Sequence, residues 1–240
     1  MKRIPLTFFL SLLFFFFSTG VRAQVGEQRS GISVGVHGGV ALDKISFNPT
    51  IKQKMHIGPS FGVAARFTSE IYFKLICSLQ VELNFSTLGW REKILDSNSL
   101  PLPDTYQRNQ NYIQIPMLAR LALGKENGLT GYLVAGPQIG FLVSEKSHRS
   151  STWTLDSEGH PDRPNGMYVQ YDMAADHKFD YGITAGLGME LATNAGRFAL
   201  EGRYYYGLGD IYKNGKKDVF GRSNHGAITI LLSYFFDIKK

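Results

Sequence analysis

Phe73-Lys74-Leu75-Ile76-Cys77-Ser78-Leu79-Gln80-Val81-Glu82-Leu83-Asn84-Phe85 is the most regular stretch of the chain. Phe73, Leu75, Cys77, Leu79, Val81, Leu83 and Phe85 alternate with Lys74, Ile76, Ser78, Gln80, Glu82 and Asn84. Successive side chains of a β-strand point to opposite faces, so this segment has one apolar face and one almost wholly polar face. It is about twice as long as an ordinary globular strand of about 5–6 residues. It suits a tilted strand crossing a bilayer, which takes about 9–11 residues.

Seven weaker versions of the pattern flank it: Ile32–Leu42, Phe61–Thr68, Tyr112–Leu123, Leu133–Val143, Tyr181–Leu191, Phe198–Tyr206 and Ala227–Phe236. The links between the eight segments alternate in length. Long ones (Asp43–Gly58, Leu88–Asn111, Ser144–Asp180, Leu208–His225) alternate with short ones (Ser69–Tyr72, Gly124–Gly131, Thr193–Arg197). Barrels of bacterial outer membranes have short periplasmic turns and longer extracellular loops. The expected fold is therefore all-β, an eight-stranded antiparallel up-and-down transmembrane β-barrel.

The first residues agree with that compartment. A basic start (Lys2, Arg3), an apolar run from Ile4 to Phe17 with six Phe, and Val21-Arg22-Ala23 have the layout of a secretory signal peptide over residues 1–23. The barrel domain then occupies 24–240. Without Lys2, Arg3 and Arg22 the formal charge of +6 becomes +3, and no basic stripe interleaved with aromatics argues for nucleic acid. The single cysteine, Cys77, excludes an internal disulfide framework.

Alternation alone does not say which face looks outward, since a soluble barrel alternates with its apolar face inside. The small residues of the polar face fit a narrow interior. Tyr and Phe gather near strand ends (Phe61, Phe73, Phe85, Tyr181, Tyr204, Tyr206, Tyr234, Phe236), as interfacial girdles do. The last strand ends on Phe236, resembling the signal read by the barrel-insertion machinery, which is one expected partner; outer-membrane lipids are another. With lipid outside, Arg66, Lys74, Arg120 and Arg203 share the lumen with Glu82, Glu190 and Glu201. Buried charges are costly unless paired, so these seven are expected to form a structural ion-pair network that plugs the barrel.

Four blocks carry a family pattern: Tyr112-Ile113-Gln114-Ile115-Pro116-Met117-Leu118, Val134-Ala135-Gly136-Pro137-Gln138-Ile139-Gly140, Phe179-Asp180-Tyr181-Gly182-Ile183-Thr184-Ala185-Gly186-Leu187-Gly188 and Arg203-Tyr204-Tyr205-Tyr206-Gly207-Leu208. In this order they resemble the PorT-like family of outer-membrane β-barrel proteins of Bacteroidetes-type bacteria. The resemblance spans nearly the whole mature chain and implies the eight-stranded barrel and the outer membrane. The founding member is associated with protein secretion and gliding machinery. No catalytic or ligand-binding residues come with the family.

Chemistry is sparse. His37 and Ser33 share the polar face of the first strand, where a satisfied lumen histidine is the plain reading and half of a rim hydrolase site the sharper one. His148, Asp156, His160, Asp162, Asp172, Asp176 and His177 in the longest loop lack a recurring metal-ligand spacing. No catalytic residue, cofactor or metal is therefore assigned. Trp153, Tyr168 and Tyr171 of that loop are candidate contacts for a protein partner, because exposed loop aromatics suit binding, and Trp90 is placed equally well in a girdle. The leading expectation is a non-enzymatic barrel presenting extracellular loops for structural, adhesive or secretion-associated interactions. A rim-active hydrolase and a small channel are the alternatives.

Overall fold

The computed structural model describes residues 31–72, 75–124, 128–163, 168–171 and 173–239. The expected signal peptide, Phe73, Lys74 and Asp172 lie outside the described residues. The strands are β1 (Gly31–Asn48), β2 (Gln53–Lys54), β3 (His56–Tyr72), β4 (Leu75–Glu92), β5 (Tyr106–Gly124), β6 (Leu129–Arg149), β7 (Phe179–Thr193), β8 (Gly196–Gly207) and β9 (Arg222–Lys239). All long strands pair antiparallel with their chain neighbours, and β1 pairs with β9 from Ile32↔Lys239 to Asn48↔Arg222. The sheet therefore closes on itself and leaves no edge. β2 adds only Gln53↔Glu92 and Lys54↔Arg91, extending the line of β3 along β4. The eight-stranded up-and-down barrel is as expected.

The apolar face is the outer one. Val36, Val63, Leu79, Leu83, Leu133 and Leu187 are each half exposed or more, while His37, Arg66, Glu82, Arg120, Glu190 and Arg203 are buried inside. A cross-strand row, Phe61↔Phe85↔Ile113↔Phe141↔Phe179, runs round the outer wall toward the long-loop end. Two of its neighbours touch directly: ring centroids are 5.3 Å apart for Phe61 and Phe85 and 5.2 Å for Phe141 and Phe179. At the short-turn end Phe198, Tyr234 and Phe236 form a second aromatic group, with centroids 4.8 and 4.4 Å apart.

The strands run on beyond the apolar belt. β4 continues to Glu92 and β5 starts at Tyr106, so most of the expected Leu88–Asn111 loop is strand. The other three long links shorten in the same way. The reason is an inversion of polarity within single strands. In β1 the outward residues are Val34, Val36 and Val40 and then Lys44, Ser46 and Asn48, whereas the inward ones pass from His37 and Asp43 to Ile45 and Phe47. β5 inverts likewise, with Gln107, Asn109 and Asn111 outward above Ile113. This upper part is a collar, polar outside and apolar inside, and its alternation has the opposite sense to that of the belt.

Two glycines are dictated by close approach. A Cβ on Gly39 would lie 1.8 Å from the Ile230 carbonyl oxygen, and one on Gly89, at φ 138°, would lie 1.9 Å from that of Arg108. Gly89 also donates its amide to Asp43 Oδ2 at 2.8 Å, which ties β4 at the foot of the collar to β1.

Candidate functional site

The lumen is filled in layers. Nearest the short turns, Glu190 on β7 receives Arg66 from β3 at 2.6 Å and lies 3.2 Å from Arg120 on β5 and 3.6 Å from Arg197 on β8. Arg66 lies over the Phe235 ring at 3.9 Å and Arg120 over Tyr132 at 4.1 Å, so both guanidiniums face an aromatic π surface as well as a carboxylate. Arg66 Nε also donates to Gln80 Oε1 at 3.0 Å, and Gln80 Nε2 donates to Glu82 Oε1 at 2.6 Å, which links this layer to the next.

In the second layer Arg203 on β8 grips Glu82 on β4 through two parallel bonds of 2.7 and 2.6 Å, the strongest common ion-pair geometry. Arg203 Nε donates to Glu201. Asn84 Nδ2 donates to Glu82 Oε2 at 3.0 Å, which leaves Asn84 Oδ1 to accept from His37 Nε2–H at 2.8 Å. The structure thus brings Arg66, Glu82, Arg120, Glu190, Glu201 and Arg203 into two linked clusters, while Lys74 lies outside the described residues. Arg197 and Asp237, 3.1 Å apart, join them at the rim. Alternation did not single these two out. Ser33 bonds Asp237 at 2.7 Å, so it is no partner of His37.

Above lies a cavity of about 20 Å³ lined by Asn84, Gln114, Gln138, Thr184, Arg203 and Tyr205, among others. It has room for about one water molecule. Next come the buried groups Asp43, His225, Tyr112, Asp180 and Tyr205. His225 Nδ1 is 2.7 Å from Asp43 and its Nε2 is 3.2 Å from the Tyr112 hydroxyl, while Tyr205 donates to Asp180 at 2.7 Å. Acid, imidazole and hydroxyl stand in the order of a nucleophilic triad. Yet Asp43 and His225 are fully buried and Tyr112 is 1 % exposed, so a substrate has no approach. The strand register that brings Asp43 near His225 is set by ring closure, which no local pattern announces.

The collar is sealed by aromatics. Phe220, Phe47, Trp90, Tyr106, Tyr171 and Trp153 form an unbroken series with successive centroids 4.9, 5.2, 5.0, 4.7 and 4.7 Å apart. A short 3₁₀ turn, Val169–Tyr171, lowers Gln170 and Tyr171 into the mouth. Arg163 Nε donates to the Tyr171 hydroxyl at 2.6 Å. Burial, and for Tyr171 next the charge of Glu92, pushes the Tyr171 and Tyr212 phenols well above the usual tyrosine range. These positions correct the expectations for Tyr171 and Trp90, while Trp153 and Tyr168 keep part of their surface exposed. Tyr171 is only 4 % exposed, Trp153 and Tyr168 pack against the same cluster, and Trp90 is fully buried inside the collar rather than set in a girdle. Aromatics in a loop above a barrel mouth have two places to go, and here they go inward.

What the loops do expose are two matching fingers. Leu95-Asp96-Ser97-Asn98-Ser99-Leu100-Pro101 and Leu155-Asp156-Ser157-Glu158-Gly159-His160-Pro161 share Leu-Asp-Ser and a closing Pro at the same spacing. They also share a fold. Asp96 N bonds Leu100 O at 2.9 Å and Asp156 N bonds His160 O at 2.8 Å. Each Asp Oδ1 accepts the amide four residues on, at 2.7 Å from Leu100 and 2.9 Å from His160. The left-handed position of each turn falls on Ser99 (φ 64°) and Gly159 (φ 82°), and each finger is bridged, Leu95↔Pro101 and Leu155↔Pro161. Ser97 N donates to Asp162 Oδ1 at 3.1 Å, which sets the fingers side by side. The Leu-Asp-Ser-x-x-x-Pro repeat was the available signal. Leu100, just past the turn of the first finger, and Leu155, at the base of the second, are 61 % and 56 % exposed.

Of the acidic and histidine side chains of the long loop, Asp156 and Asp162 serve these local bonds, while Asp176 and His177 bond the Lys213 amide and the Asp210 carbonyl. Among the described residues no group of three or more His, Cys, Asp or Glu side chains converges as metal ligands would.

No curated protein matches the chain in sequence. Solved structures similar to it include Ail, the attachment invasion locus protein of Yersinia pestis, at 11% identity over 87% of this chain and 100% of that one, TM-score 0.38. Neisserial surface protein A is similar at 12% over 85% and 97%, TM-score 0.38, and OprG from Pseudomonas aeruginosa at 12% over 88% and 98%, TM-score 0.38. A family model, outer membrane protein beta-barrel domain, matches residues 22–213. With most of its length matched and its strands closed into a ring that is apolar outside, the chain belongs to the outer membrane protein β-barrel domain family.

Proposed function

We propose that this integral outer-membrane protein is a non-enzymatic platform, closed to solutes, that holds its paired fingers outside the cell for adhesive or secretion-associated contacts with other proteins. The observation that carries this reading is the combination of a filled lumen, an aromatic seal and two exposed tips fixed by their own Asp side chains. A pore needs a continuous path, and the paired charges of the lumen and the aromatic cluster of the collar stand across it. A binding surface gains from being ordered beforehand, because ordering then costs less on contact. The resemblance to the PorT-like family supports the secretion-associated version.

Deletion of the gene is the direct test. The profile of proteins at the cell surface should change, and the full chain should restore it, while a chain with 95–101 and 155–161 replaced by Gly-Ser of equal length should not. An unchanged profile in the deletion strain overturns the role. In planar bilayers the purified barrel should carry no steady current, and an ohmic one overturns the closed lumen.

A further inference from the structure

Where the chain comes down from the collar into β7, the outer wall carries a cleft of about 740 Å³ that has no part in the lumen or the fingers. Its lower side is apolar and lipid-facing: Phe179, Tyr181 and Leu208 are 47 %, 46 % and 50 % exposed. Phe179 ends the aromatic row on this side and stacks on Tyr181 at 6.0 Å. The upper side is polar, with His177, Lys178, Asp210 and Asn214.

The charges of that upper side are not equivalent. Asp210 spends both carboxylate oxygens internally, on the Ser223 amide at 2.5 Å and on Asn214 Nδ2 at 2.9 Å. Its carbonyl oxygen accepts from His177 Nδ1 at 2.8 Å. Asp176 takes the Lys213 amide at 3.2 Å and faces the Lys213 ammonium at 3.6 Å. Lys178 is held only through its backbone, its carbonyl accepting from Leu142 N at 2.7 Å, and its exposed ammonium has no ion pair among the described residues. The cleft therefore offers one uncommitted cation directly above three lipid-facing apolar side chains. An anion alone would leave those apolar side chains unused, and a hydrocarbon chain alone would leave the cation unused.

We infer that this cleft binds an outer-leaflet lipid with a phosphorylated headgroup, its phosphate on Lys178 and its acyl chains along Phe179, Tyr181 and Leu208. The proposal rests on the functional reading above only for the leaflet, since it takes the long loops to face outward. A symmetric bilayer removes that dependence.

The full chain is placed in phosphatidylcholine nanodiscs doped with a bisphosphorylated glucosamine lipid or with its dephosphorylated form, and the lipid retained after release is counted by native mass spectrometry. The phosphorylated lipid should be retained preferentially. Lys178→Gln should lower that preference about fivefold, the effect of one lysine near a charged membrane surface. Leu208→Trp, which fills the cleft from its exposed side, should lower retention of both lipids while the barrel keeps its folded gel mobility. Equal retention by the parent chain and Lys178→Gln overturns the proposal. So does a Lys178-dependent adduct of inorganic phosphate in lipid-free micelles with no preference between the two lipids, which would make this a site for free anions.

Discussion

The belt and the collar share β1, β4, β5, β6 and β9, which run through both, yet they solve opposite solvent problems. Around the belt the outside is hydrocarbon, so Val36, Leu79 and Leu83 face out and every buried charge needs a partner across the lumen. Around the collar the outside is water, so Lys44 and Ser46 face out and the interior is an aromatic core like that of a soluble domain. Side-chain polarity follows the medium at each height, while the pairing of β1 with β9 runs from the belt into the collar, from Ser33↔Asp237 to Asn48↔Arg222.

The largest expected effect separates the two interiors. Glu82→Leu leaves Arg203 without its bidentate partner in the belt and should cost about 3–5 kcal/mol, read as a shift of the urea midpoint for loss of folded gel mobility. If the double variant Glu82→Leu/Arg203→Leu is no more stable than the single one, the pairing account is wrong.

The two exteriors differ next. Leu79→Arg places a charge against hydrocarbon and should destabilise by about 2–4 kcal/mol. Ser46→Arg on the same barrel's wet collar should stay within about 0.5 kcal/mol. Equal effects in the same urea titration would mean that the lipid boundary is not where the inversion puts it.

A third prediction uses pH. Tyr171 and Tyr212 are buried phenols with raised pKa values, so the folded cap binds protons that the opened cap releases. Their contribution is complete below the unfolded tyrosine value of about 10 and is lost as pH rises above it. The chain's two tryptophans, Trp90 and Trp153, both belong to the cap. Tryptophan emission should therefore shift to the red above about pH 10 while folded gel mobility is retained. Simultaneous loss of both signals would show that cap and belt unfold as one unit.

The smallest effect is at a fingertip. The Asp156 carboxyl is held below its ordinary range, first by the His160 amide and also by that of Glu158. A depressed carboxyl stabilises its turn above the unfolded value of about 3.9, and that support fades as pH falls through the lower, folded value. Amide exchange at Glu158 and His160, corrected for the intrinsic pH dependence, should accelerate in that acid range. In Asp156→Ala it should already be fast at neutral pH.

The belt was legible in the sequence because one medium outside and one inside give a single alternation, as in Leu75–Phe85. The collar was not, because the sense of alternation reverses near Asp43 in β1 and near Asn111 in β5, and a reading tuned to apolar-out segments sees loops there. Arg66, Glu82, Arg120, Glu190, Glu201 and Arg203 could be assigned to one face from alternation, but their pairing depends on which strands meet across the lumen. Asp43 and His225 lie 182 residues apart and become neighbours only through closure. Tyr171 was misplaced because an aromatic loop residue carries no mark that distinguishes an outward tip from an inward cap.

The contact between β1 and β9 has a consequence for how the molecule comes to exist. It is the seam of the cylinder, and Ser33 with Asp237 spans 204 residues of it. No ring exists until the last strand has been made and exported, so the chain must travel to its membrane complete and open. A product truncated before β9 would bring an unclosed sheet to the bilayer, with its polar lumen face unroofed and two bare edges, and would be material for proteolysis.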